Sequence, residues 1–197
     1  MQQWAGRGVT PQAKNISVND KFGNKGIKNQ QGSTIIKYDT LPVDGRSEFR
    51  FFEGASARTF PETNCTTEGN KLGVGNSMVV ERVYLSLLSK TAGVYTTVEE
   101  LSLTTTLPAI LLSEFGFAIA NSDVIKQLPV LSFLPQFNKN AENELSTSFD
   151  FDTQIVIPPL LEFVATLRLT RGTTIADTFL RLTIEGSGAI IAPRTTF

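Results

Sequence analysis

The 197 residues suffice for one ordinary domain with an extension, and 41% hydrophobic against 19% charged residues allows a core under a sparsely charged surface. The chain has no histidine and one cysteine, Cys65. That excludes a Ser-His-Asp triad, a His-ligated zinc, a cysteine zinc cluster and an intrachain disulfide.

The net charge of −1 points to neither nucleic acid nor membrane, but it averages two unequal parts. Residues 1–33 hold Arg7, Lys14, Lys21, Lys25 and Lys28 against Asp20, which is +4 in all and leaves −5 for the rest. Gln, Asn and Gly are frequent there, and the apolar residues Trp4, Val9, Ile16, Val18, Phe22 and Ile27 stand singly. Such a segment cannot bury enough surface to offset its ordering entropy, so it is expected to be an extended arm that orders on a partner. Trp4 and Phe22 are its candidate anchors and the five cations its candidate interface charges. Those cations could meet an acidic neighbouring subunit or phosphates. Five spaced charges fall well short of the dense runs that package nucleic acid, so an inter-subunit tether is the preferred reading and nucleic-acid contact the lesser one. The stretch Met1 to Arg7 lacks the apolar centre of a signal peptide. The longest apolar runs, 107–112 and 155–164, are too short to span a bilayer. Synthesis and assembly in the cytoplasm are expected.

From 34 to 197 the chain reads as strands. Residues 34–38 form a β-branched run, and 47–52 alternates so that Phe49 and Phe51 share a face. A long turn-rich loop follows, from about 53 to 77. In Met78 to Leu88 the residues Val79, Val83, Leu85 and Leu87 point one way, opposite Arg82 and Ser86, with Glu81 interrupting the apolar side as at a strand end or edge. Thr97 to Glu100 has capping-box spacing, and Pro108 before Ala109 to Leu112 suits a helix start, so two short helical turns are expected. Strand character returns at 115–119, 129–133, 149–157 and 163–170. Finally, 179–184 and 189–192 flank Glu185-Gly186-Ser187-Gly188, which predicts a hairpin. About eight to ten short strands without a long helix indicate an all-β protein, a single antiparallel sandwich.

Few motifs carry chemistry. Gly73-Val74-Gly75 opens a nucleotide fingerprint but has Met78 at the third glycine position and precedes a strand. Asp150 and Asp152 lie two apart on a strand, and Glu99 and Glu100 are adjacent; these are expected to be surface charges, not a hydrolase acid and base or a calcium site. Asn15 and Asn64 match the glycosylation acceptor pattern by chance. No catalytic residue, cofactor or metal is expected, and the chain is not expected to be an enzyme.

The layout of a basic, glycine-rich arm at 1–33 and a strand-rich body at 34–197 resembles the single jelly-roll capsid proteins of icosahedral viruses, including tailless bacteriophages. The body segments that carry the resemblance are 47–52, 78–88, 115–119, 149–157, 163–170 and 179–184. The resemblance implies a jelly-roll-like sandwich of eight strands, packing against copies of itself and other virion proteins, arms that tie neighbours together, and location in the virion. The competing reading is a carbohydrate-binding or adhesive β-sandwich module of an appendage.

Overall fold

The computed structural model describes residues 30–97, 110, 112–133, 148–172 and 174–191. Nine strands run through them: β1 (Gln30–Asp44), β2 (Glu48–Phe51), β3 (Ser77–Thr91), β4 (Val94–Thr97), β5 (Glu114–Ile119), β6 (Ser122–Pro129), β7 (Ser148–Ile157), β8 (Phe163–Arg168) and β9 (Thr174–Ile191). One sheet has the order β1-β9-β3, with β7 and β4 sharing the far edge of β3; the other has the order β2-β8-β5-β6. Every ladder is antiparallel. With β4 set aside as a hairpin extension of β3, the pairs are β1 with β9, β2 with β8, β3 with β7 and β5 with β6. First pairs with last and each later strand pairs one step further in. This nested connectivity over two sheets is that of a jelly roll. The protein is an all-β, jelly-roll-like antiparallel sandwich.

The alternation read from the sequence places the core. Phe49 and Phe51 of β2, Phe115 and Phe117 of β5, and Phe163, Ala165 and Leu167 of β8 are all buried. They meet Leu41 and Val43 of β1, Val83 and Leu85 of β3, and Leu180, Leu182 and Ile184 of β9 in one cluster. The rings pack at angles, Phe52 on Phe163 with centroids 5.1 Å apart and Phe115 on Phe133 at 5.5 Å. Each fully buried Phe contributes about 2–3 kcal/mol of transfer free energy.

Three expectations need correction. The hairpin at 185–188 does not form, because β9 runs unbroken through it between β1 and β3. Its glycines answer a different demand, close backbone approach. A Cβ on Gly186 would lie 1.8 Å from the Val79 carbonyl oxygen, and one on Gly188 would lie 2.0 Å from Ile35 Cδ1. Secondly, Glu81 marks a β-bulge inside β3 and not a strand end or edge, since the register shifts between Val80 and Arg82. The extra residue resets the side-chain parity. Met78 and Val80 therefore join Val83, Leu85 and Leu87 in the core, while Val79 is buried outside that cluster. Thirdly, residues 130–133 form a 3-10 turn instead of a strand, which tucks Val130 and Phe133 inward. The stretch 122–129, to which the sequence assigned no element, is strand β6, whose residues are mostly exposed. It pairs with β5 through two register shifts, so no alternation marks it.

The last four residues of the 1–33 segment are paired in β1, which opens at Gln30 opposite Ile191. The short helical turns expected at 97–100 and 108–112 fall mostly outside the described residues; Thr97 ends β4.

The two kinds of glycine separate in a stability measurement. Gly186→Ala is expected to cost about 3 kcal/mol in urea unfolding, because backbone must shift to admit the methyl. Gly116→Ala, whose Cβ would meet nothing nearer than 3.5 Å, is expected to change stability by under about 1 kcal/mol.

Candidate functional site

The nested pairing gathers the β2–β3 loop, the β5–β6 turn and the β7–β8 turn at one end of the sandwich. Backbone bonds tie them together: Leu160 N–H donates to Leu72 O at 2.9 Å, Phe163 N–H to Asn70 O at 2.9 Å, and Ala120 N–H to Glu162 O at 2.7 Å. Lys71 Nζ lies 3.1 Å from Glu162 Oε1. Leu72 and Ile157 are buried beneath. After Pro158-Pro159 the chain turns through Leu160 at φ 62, a left-handed conformation uncommon for a bulky residue. The outcome is that apolar side chains face solvent from a pinned framework: Val74 is 76% exposed, Leu160 56% and Leu161 42%. Exposed apolar side chains on tied loops suit binding.

The first strand of this end is held by the β2–β3 loop. Asp39, fully buried, accepts from Phe52 N–H at 2.6 Å and from Arg58 Nε at 3.0 Å, with Arg58 Nη2 as its ion-pair partner. Tyr38 N–H donates to Asn64 Oδ1 at 2.9 Å, and Asn64 Nδ2 donates to the Ile36 carbonyl at 2.8 Å. The side-chain amide thus stands where a neighbouring strand would, covering part of the β1 edge. This is the structural task of Asn64, which the sequence marked only as a chance acceptor motif. Cys65 beside it is buried, and burial pushes its thiol pKa up, which keeps it protonated and unreactive.

The outer face of the β1-β9-β3-β7 sheet carries polar clusters. Arg82 pairs with Asp150 through Nε and Nη2 and donates from Nη1 to Tyr84 Oη at 3.2 Å; Tyr84 donates to Glu185 Oε2 at 2.6 Å. Further along, Lys90 Nζ donates to Tyr95 Oη at 3.1 Å, and Tyr95 donates to Glu62 Oε1 at 2.8 Å. Arg181 lies over the Tyr38 ring at 4.5 Å and donates to the Pro61 carbonyl at 2.6 Å, so the β2–β3 loop is laid across this face. Asp150 is therefore committed to Arg82, whereas Asp152 is exposed in the stretch 151–154 that bulges from the ladder opposite Glu81. The two carboxylates differ in solvent access.

Of the other residues singled out in the sequence, Trp4, Arg7, Lys14, Lys21, Phe22, Lys25 and Lys28 lie outside the described residues, as do Asn15, Glu99 and Glu100. Gly73-Val74-Gly75 leads into β3, with Gly75 at φ 75. The exposed Leu160 and Leu161 were missed in the sequence. Their signal was the pair of prolines before two leucines and an acid, since a double proline forces a turn that cannot carry both leucines inward.

No protein-family model matches the chain, and no curated protein matches it. Among solved structures it is similar to the major capsid protein P2 from Bacteriophage PM2, with 8% identity and a TM-score of 0.39 over 86% of this chain and 48% of that one. This chain thus spans about half of that protein's length. A likeness of this degree establishes no common family.

Burial, then the bond to Glu185, pushes the Tyr84 pKa up; burial likewise raises that of Tyr95, whose hydroxyl in turn raises that of Lys90. A raised folded pKa means a proton bound more tightly in the folded state. Its contribution to stability is complete below the unfolded value and lost as pH rises through the folded one. The melting temperature is therefore expected to fall as pH climbs beyond about 10. In the Tyr84→Phe/Tyr95→Phe double variant the alkaline fall is expected to be shallower. Equal slopes in a thermal-melt series against pH would refute this assignment.

Proposed function

We propose that the chain is a structural protein of a virion, a self-assembling capsid shell subunit tied to its neighbours by its N-terminal arm. One observation carries the reading: a jelly-roll body whose first strand is preceded by 29 residues bearing +4 charge. Jelly rolls also serve as lectin and cupin domains, so the fold alone does not choose among roles. Cupin-type metal chemistry relies on histidine, which this chain lacks. A long cationic arm with isolated apolar residues supports assembly over sugar binding. Such a segment gains order only by draping over a partner, and in a shell the partner is the next copy. In this reading the chain has no catalytic role, holds no cofactor, and works in the virion among copies of itself and other virion proteins. Contact of the arm with nucleic acid is secondary to contact between subunits.

The test compares the full chain with one lacking residues 1–29, by native mass spectrometry and sedimentation. The full chain is expected to form a large discrete assembly. The truncated chain, which keeps all of β1, is expected to retain its β-sheet spectrum and remain a monomer or small oligomer. Identical assemblies from both would refute arm tethering, and a monomeric full chain would refute the shell role itself.

A further inference from the structure

We infer that the apolar loop end of the body, presenting Val74, Leu160 and Leu161, is the surface on which the arm of a second copy docks; this rests on the assembly role proposed above and adds the receptor for the arm. The surface is preformed. Three loops are cross-tied by backbone hydrogen bonds, and Leu160 is held in a left-handed conformation that turns its side chain to solvent. A rigid apolar surface needs little ordering to bind, so most of the entropic cost falls on the arm alone.

Three observations select the arm as occupant. The first is placement. In the ladders Ser33 lies opposite Gly188, Gly188 opposite Met78, and Met78 opposite Ile157, the residue before the Pro158-Pro159 turn. The start of β1, to which the arm is joined, therefore lies at the same end as Leu160 and Leu161. The second is chemistry. The arm's apolar residues, Trp4 the largest, stand apart and cannot cover one another, while the loop end offers apolar side chains with nothing over them among the described residues. The third is charge. Segments 66–76, 120–123 and 158–162 carry Glu68, Asp123 and Glu162 against Lys71, which is −2, facing an arm of +4.

Length decides for a second copy. From β1 to β7 is three strand spacings, about 14 Å, which four or five extended residues cross. Twenty-nine residues reach about 95 Å when extended, against a body about 40 Å across. Only the last residues of the arm are needed to reach its own loop end. The remainder, which includes Trp4, is long enough to reach a neighbour.

The experiment replaces Leu160 with the photo-cross-linking residue p-benzoylphenylalanine in the full chain and mixes heavy-isotope-labelled with unlabelled copies before assembly. Irradiation is expected to join position 160 to a peptide from residues 1–29 of a differently labelled copy. Adducts confined to the same copy, or to residues of the body, in chains that still assemble would overturn the docking surface and leave the shell role standing. A chain that remains monomeric would overturn both. A second variant, Leu160→Asn with Leu161→Ser, changes only exposed positions and is expected to keep the β-sheet spectrum. It should raise the concentration at which assemblies dissociate roughly tenfold, equivalent to about 1.4 kcal/mol. No change in that concentration would also overturn the proposal.

Discussion

The close approach of β9 to both of its neighbours is the constraint on which the rest of the structure depends. β9 is 18 residues long and pairs along nearly its whole length, with β1 on one side and β3 on the other. At Gly186 and Gly188 it comes near enough to Val79, Ser77 and Ile35 that no side chain fits. Joining the first strand to the last fixes the outermost pair of the nest. The chain between is then confined to inner pairs, and both sheets follow. Were β9 to turn back at 185–188, β1 would lose its partner from Gln30 to Ile36 and the sandwich would lose its first strand there.

The same pairing determines what the surface offers. It brings the start of β1, the end of β9 and the loops after β2, β5 and β7 to one end. Parts of three edges are covered or distorted. The Asn64 amide caps part of β1 and Asp39 anchors the loop that carries it, while β7 and β6 bulge away from straight ladders. Such irregular edges discourage unplanned sheet-to-sheet pairing. The outer face of the first sheet is occupied by mutual ion pairs and by the β2–β3 loop. The loop end, close to the start of β1, leaves Val74, Leu160 and Leu161 outward, as Phe60, Val94 and Leu112 are elsewhere on the body.

Much of this was legible in the sequence where one face of a strand is buried and the other is not. β2, β5 and β8 alternate cleanly, and their Phe49, Phe51, Phe115, Phe117 and Phe163 are the core they appeared to be. The all-β class and the single antiparallel sandwich followed from such segments. Where local chemistry is ambiguous, sequence reading failed for physical reasons. A glycine required by a turn and a glycine required by a neighbouring backbone are the same residue, so Gly186 and Gly188 looked like a hairpin. A bulge has no residue signature, so Glu81 looked like an end and Val79 was put on the wrong face. β6 has few buried positions and no period to detect. The exposed leucines at 160–161 were hidden inside an apolar run, because exposure depends on the φ of one residue and not on composition.

The proposed role of the arm joins the fold to the proposed function, and imaging an assembled particle of the full chain by electron cryo-microscopy tests that join most directly. The account predicts density for residues 1–29 that leaves one body ahead of β1 and crosses to the β7–β8 turn of the next. A particle whose bodies meet without such a connection, or a chain that forms no particle, would contradict it.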